Sequence, residues 1–218
     1  MEFDFRSLAP KLVYNLMVSS VMPRPIALTT SCDAEGHVNA APFSFFNVVS
    51  THPPLLVLGL EVELDGRPKD TSLNIRATGQ FVVNLVDEPL AEAMNLCATS
   101  FPRGTNELEV TGLATLPSRV VRPPRIAEAP VSFECETYHT LDLGGGKAVQ
   151  VGRVVYFHIQ DRFLQDADKA YVDGAGMGLI GRMHGKASYA RTTDLFELRR
   201  MSVEAALTKL GQAGEVRA

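Results

Sequence analysis

One stretch of the chain leaves little freedom in how it folds. Val131, Phe133, Cys135 and Thr137 alternate with Ser132, Glu134, Glu136 and Tyr138, a period of two that places successive side chains on opposite faces of a half-buried antiparallel strand. Cys135 then points inward. Three consecutive glycines, Gly144-Gly145-Gly146, follow as a turn, and the run from Ala148 to Ile159 reads as the long partner strand. Gly152 inside that run predicts a bulge. The second half of the chain is therefore built on a long hairpin.

The first half repeats the theme. Pro25 to Ser31 is a β-type run, Asp33-Ala34-Glu35-Gly36 a turn, and His37-Val38-Asn39-Ala40-Ala41 the returning strand. After the break at Pro53-Pro54, Leu55 to Leu60 is a continuous apolar run of buried-strand length, and Phe81 to Val86 is another. Between them Asp70 and Thr71 are N-cap candidates, Leu73 to Ala77 continues as helix, and Gly79 supplies the stop. A second helix follows Asp87, with Leu90, Ala93, Met94 and Cys97 on one face. Residues Leu195 to Ala218 read as a peripheral helix fading into a mobile tail. Many strands, tight turns and few short helices favour a mainly antiparallel barrel over a parallel α/β sheet.

With 218 residues, 45% of them hydrophobic and 21% charged, one compact domain with a sizeable core is expected. A net charge of -4 and no Lys/Arg run leave no stripe for a polyanion, so nucleic acid is not expected as a partner. The three cysteines, Cys32, Cys97 and Cys135, form no Cys-x-x-Cys pair and no disulfide framework, which fits a reducing compartment. The acidic start Met1-Glu2-Phe3-Asp4 does not resemble a signal peptide, and no run reaches the ~20 apolar residues of a membrane span. The expectation is a cytoplasmic protein without a membrane partner.

Gly176-Met177-Gly178-Leu179-Ile180-Gly181 matches the G-x-G-x-x-G dinucleotide pattern, but Arg182-Met183-His184-Gly185-Lys186 does not continue as an apolar helix, so a glycine-rich loop is the reading. The histidines at 37, 52, 139, 158 and 184 show no ligand spacing, and no metal is expected. Ser44 lies in no nucleophile elbow, which removes the case for a hydrolase. Lys69-Asp70-Thr71 puts a cation and a hydroxyl at a helix N-terminus, where free N–H groups favour a phosphate. On the local pattern alone an ordinary cap with a solvated lysine is preferred. Asp70 opposes an anion unless its carboxylate caps the helix. The segment Ala41-Pro42-Phe43-Ser44-Phe45-Phe46-Asn47 offers apolar and hydroxyl groups to a flat heteroaromatic ligand. The alternative is plain core, although three phenylalanines in four positions cannot all face inward from one regular strand.

Taken in order, Arg24-Pro25-Ile26-Ala27-Leu28-Thr29-Thr30-Ser31, Asn39-Ala40-Ala41-Pro42-Phe43-Ser44-Phe45-Phe46, Ser50-Thr51-His52-Pro53-Pro54, Lys69-Asp70-Thr71-Ser72-Leu73-Asn74-Ile75 and Phe81-Val82-Val83-Asn84 resemble the flavin reductase-like family of FMN-binding split barrels. Asn106-Glu107-Leu108-Glu109 and Pro123 to Pro130 extend the likeness, which covers roughly residues 15 to 190.

The resemblance implies a six-stranded antiparallel split barrel of Greek-key type with short peripheral helices over residues 1–194, followed by the C-terminal helix and tail at 195–218. It implies a homodimer with one FMN per subunit at the interface. An exposed face of Phe43, Phe45 and Phe46 would give a second reason for pairing. Thr29, Thr30 and Ser31 would help hold the ribityl-phosphate, and Asn39 belongs to the same cofactor set. Ala41, Pro42, Phe43, Ser44 and Phe45 would line the isoalloxazine, Lys69, Asp70 and Thr71 would meet the phosphate, and Arg182 and Tyr189 would reach the flavin or the partner subunit. The implied activity is that of an FMN-dependent oxidoreductase, a flavin reductase or flavoprotein oxygenase component taking hydride from NADH or NADPH, with an oxygenase as partner. A non-catalytic FMN electron carrier is the alternative, and a pyridoxamine-phosphate-oxidase-like enzyme the third. Gly152-Arg153 with Lys147 upstream departs from the family's usual pattern there and leaves the electron donor and acceptor open. No thiol role is expected: Cys97 and Cys135 should be buried, and Cys32, at the rim of the first turn beside Asp33, exposed.

Overall fold

A computed structural model describes residues 1–63 and 65–215. The chain runs α1 Pro10–Ser20, β1 Arg24–Pro25, β2 Ala27–Cys32, β3 Val38–Phe43, β4 Phe46–Thr51, β5 Pro54–Leu60, α2 Asp70–Thr78, β6 Gln80–Leu85, α3 Ala91–Leu96, α4 Glu107–Thr111, β7 Thr115–Leu116, β8 Arg125–Ile126, β9 Val131–Gly144, β10 Lys147–Ile159, β11 Leu164–Asp166, β12 Tyr171–Val172, β13 Ile180–Arg182, β14 Tyr189–Arg191 and α5 Val203–Glu215. The main sheet has the order β3-β2-β6-β9-β10-β5-β4, with every pairing antiparallel. That is seven strands where six are expected, because the chain turns at Ser44–Phe45 and resumes pairing as β4. The backbone bond from Gly59 N–H to Phe45 O, 2.7 Å, carries the β4–β5 ladder, in which Phe46 faces Leu58, back into the β3–β4 turn, and that turn links the two edge strands of the sheet.

The expected mainly β, split-barrel class holds, and so do several local readings. The Gly144–Gly146 turn joins the two longest strands, and the β9–β10 register shifts at Val151/Gly152, the expected bulge. A Cβ at Gly152 would lie 2.4 Å from Phe81 Cζ, so glycine lets β10 pass over the barrel's central aromatic ring. Helix α2 ends at Gly79, which takes the left-handed conformation at φ 70°. The glycine-rich segment after Gly176 leads into strand β13, not a helix.

Two apolar layers share β2. Inside the barrel, Ala27, Phe43, Leu56, Leu58, Phe81, Val83 and Cys135 pack with Ile75 of α2. Outside it, Ile26, Leu28 and Ala40 pack with Leu90, Met94 and Cys97 near α3, Leu108 of α4 and Ile126. This double cover accounts for what the sequence reading misplaces. All six residues of β2 are buried, Cys32 included, so the expected exposed thiol is not there. In β9 the expected outward residues Ser132 and Glu134 are buried, while Thr137 is exposed. The reason is a covering loop: Glu134 accepts the backbone N–H groups of Arg119, Val120 and Val121 and bonds His158 Nε2 at 2.6 Å. Phe43 and Phe46 belong to the inner core and only Phe45 is exposed, so the expected three-ring surface face does not form.

Helix α1 has no counterpart in the sequence reading. At the C-terminus the helix begins at Val203, not near Leu195, and the expected mobile tail falls partly on residues 216–218, outside the described range. Among the described residues no helix is long and apolar enough to cross a membrane.

Candidate functional site

The first turn of α2 stands over the start of β3. Lys69 is the N-cap residue in extended conformation, and among the described residues no side chain caps the helix. Asp70 therefore does not turn back as a cap, and the first-turn N–H groups lack intrahelical partners. The Ser72 hydroxyl in this turn is buried and also has no hydrogen-bond partner among the described residues. A cavity of about 80 Å³ opens here, walled by Asn39, Ala41, Pro42, Lys69, Asp70 and Thr71, with Glu63, Arg67, Ser100, Arg103 and Glu107 completing it.

Its charges are mixed and partly committed. Lys69 Nζ lies 3.2 Å from Glu63 Oε1. Glu63 also accepts from Ser100 Oγ at 2.6 Å, and these contacts hold its carboxyl below the usual range. Arg67 pairs with Asp65 at 2.7 Å. Arg103 is exposed and has no ion pair among the described residues.

Behind this cavity lies a buried polar network. Thr71 Oγ1 donates to Asn39 Oδ1 at 2.7 Å, and the Asn39 amide donates to both oxygens of Glu107, at 3.0 and 3.1 Å. Glu107 Oε2 also accepts the Ala40 N–H at 2.8 Å. Burial raises the Glu107 pKa, and its donors do not fully offset that cost. Asn74 of α2 donates to Ser31 Oγ at 3.1 Å, which fastens the helix to β2.

A second cavity, about 160 Å³, adjoins the first across Pro42 and Ala98. Its walls are Ile26, Pro42, Phe43, Met94 and Tyr189, with Ser44, Asn95 and Arg182 as polar groups. The Arg182 guanidinium sits 4.6 Å from the centre of the Tyr189 ring. Ser44 Oγ accepts from Arg24 Nε at 3.3 Å, leaving the serine proton free to donate elsewhere.

The fold thus gathers ten of the expected residues around two adjoining cavities: Asn39, Ala41, Pro42, Lys69, Asp70 and Thr71, then Phe43, Ser44, Arg182 and Tyr189. Thr29, Thr30 and Ser31 are not among the lining residues. They are fully buried within β2, with their hydroxyls on Ala27 O, Pro124 O and Asn39 Oδ1. Phe45 is exposed and lines neither cavity. The sequence reading missed Glu63, Ser100 and Arg103. Glu107 lay in a recognised block but was given no role. At the first hairpin turn, Asp33, Glu35 and His37 bring ligand-type atoms within 4.8 Å of one another, contrary to the expectation of no such grouping. Asp33 and His37 already bond each other at 2.8 Å there.

Comparison with known proteins agrees with this architecture. The flavin reductase-like domain matches residues 18–179. Bacillus subtilis YwrF is 40% identical over 205 residues, covering 92% of this chain and 98% of its own. Among solved structures the chain is similar to the 2-nitrobenzoate 2-nitroreductase NbaA of Pseudomonas fluorescens, with 36% identity, TM-score 0.84, and coverage of 93% and 98% of the two chains. It is also similar to component B of nitrilotriacetate monooxygenase from Bacillus cereus, with 33% identity, TM-score 0.85, and coverage of 91% and 98%. The chain belongs to the flavin reductase-like family of split-barrel proteins.

Proposed function

We propose that this chain is an FMN-dependent oxidoreductase, taking electrons from NADH or NADPH and serving as a flavin reductase or as the reductase component of an oxygenase. The observation that carries this reading is that the two cavities lie side by side, with Pro42 and Ala98 in the walls of both. One end is a helix N-terminus with Lys69 and Arg103, suited to a phosphate. The other has apolar walls and hydrogen-bond donors, suited to a flat heteroaromatic ring with carbonyl edges. The uncapped first turn of α2 fits the anionic end, although Asp70 and Glu63 oppose it.

When bound, the flavin supplies the hydride chemistry, and no side-chain acid or base is required. The chain's residues bind and orient. Lys69 and the α2 backbone hold the anionic end, Pro42 and Phe43 support the ring, and Ser44 and Arg182 donate to its polar edge. The reductase and monooxygenase-component relatives support electron transfer to a small molecule or an oxygenase.

The site is completed in a homodimer, a pairing supported by the exposed apolar Phe45, Val48 and Val49 at and just before β4. Residues 1–194 form the flavin-binding unit and 195–218 a C-terminal appendage. Three buried free thiols suit the cytoplasm. The test is titration of the flavin-free protein with FMN, followed by quenching of flavin fluorescence. Saturable one-to-one binding is expected, and a chain that leaves FMN fluorescence unchanged contradicts the proposal.

A further inference from the structure

We infer that Glu107 is a positioning residue for the anionic end of the site, acting through Asn39 and Thr71 on the first turn of α2. The inference rests on the flavin reading above. Glu107 and Asn39 are 68 positions apart and both buried, yet each carboxylate oxygen accepts from the Asn39 amide.

That pair decides which way the Asn39 amide faces. A carboxylate accepts only, so Nδ2 must point at Glu107 and Oδ1 at α2. Asn39 Oδ1 in turn takes the Thr71 proton at 2.7 Å, and Thr71 is fully buried. The hydroxyl is already spent inside the protein and has no exposed surface for a ligand. Thr71 therefore serves the site as an anchor: it pins the second residue of α2 against β3, so that the uncapped N–H groups of this turn open toward the cavity beside Lys69. The Ala40 N–H bond to Glu107 Oε2 fixes the β3 side of the same contact.

Glutamine at 107 keeps the volume and breaks the logic. With one oxygen and one NH2 in place of two oxygens, it must set a donor against Asn39 Nδ2 or Ala40 N–H, or allow the Asn39 amide to turn over and release Thr71. The anionic end of the site then loosens while the ring cavity, which Glu107 does not line, is unaffected.

The experiment compares FMN with riboflavin, which has the same ring and lacks the phosphate, by fluorescence titration of wild type, Glu107→Gln, Thr71→Val and the double variant. The inference expects Glu107→Gln to weaken FMN by about tenfold or more while riboflavin affinity stays within about twofold. Thr71→Val should do the same, and the double variant should lose no more than either single one, because both cut one relay. Should Glu107→Gln fail to fold, Thr71→Val carries the same FMN-selective expectation alone. Equal losses for the two flavins, no loss for either, or additive losses in the double variant overturn the inference and leave the flavin reading standing. A wild-type chain that binds neither flavin overturns the flavin reading itself.

Discussion

Lys69 Nζ lies 3.2 Å from Glu63 Oε1, so the cation at the head of α2 is shared with a carboxylate before any ligand arrives. An entering phosphate must compete for that ammonium. Charge-assisted hydrogen bonds contribute about 1.5–3 kcal/mol each, roughly tenfold to a hundredfold in affinity. Lys69→Ala should therefore weaken FMN at least about tenfold with little change in melting temperature. Glu63→Gln should tighten it by releasing the lysine. Fluorescence titration of both variants checks the pair; equal FMN affinity in wild type and Lys69→Ala removes Lys69 from the site.

The buried Glu134 makes stability depend on pH in a stated direction. Burial works to raise its pKa, but the bond from His158 and three backbone N–H groups outweigh it, and the folded value lies below the ordinary 4.5. A carboxyl with a lowered folded pKa stabilises the protein above the ordinary value, and the contribution is lost as pH falls through the folded one. Glu134→Gln should cost ~2 kcal/mol near neutrality, a gap that closes as pH falls below 4.5. Urea denaturation midpoints of the two proteins across this range are the measurement. A gap that widens in acid contradicts the assignment.

The thiols should be silent. Burial pushes the Cys97 thiol up to about 11, raises Cys135 further and raises Cys32 as well. A disulfide reagent at mildly alkaline pH should label none of them quickly in the native protein and all of them after unfolding. Replacing them as packing permits should leave the flavin reduction rate near wild type in stopped flow. A drop of about a hundredfold, the size expected on losing a catalytic group, would mean that a thiol takes part.

Pairing of two chains is expected from the exposed apolar residues around β4 and from Leu195, Phe196 and Leu198 beyond β14. Light scattering should give twice the 23.7 kDa chain mass. A flavin-loaded monomer at micromolar concentration would show that one chain completes the site.

Local rules carried the sequence reading far. Period-two patterning located β9, a glycine triplet its turn, Gly152 the bulge, and Gly79 the end of α2. What failed was burial decided by distant parts of the chain. Glu134 looks outward by alternation and is covered by residues 119–121, and Cys32 looks like a turn residue but lies at the end of a strand packed on both faces. Of the candidate site, Pro42, Lys69 and Asn39 were legible as residues of matching blocks that the fold brings to one cavity. Thr29 and Thr30 are fully buried on opposite, packed faces of β2 and line neither cavity, whereas Glu63, Arg103 and Glu107 reach the cavity only through tertiary folding.

The visible spectrum of the FMN-loaded chain under anaerobic conditions, before and after adding NADH or NADPH, decides whether it is a reductase. Bound flavin is expected, with an oxidised absorption band that bleaches with one of the two nucleotides and returns on admitting oxygen. A band that neither nucleotide bleaches, though dithionite removes it, would contradict the reductase assignment and favour the electron-carrier alternative.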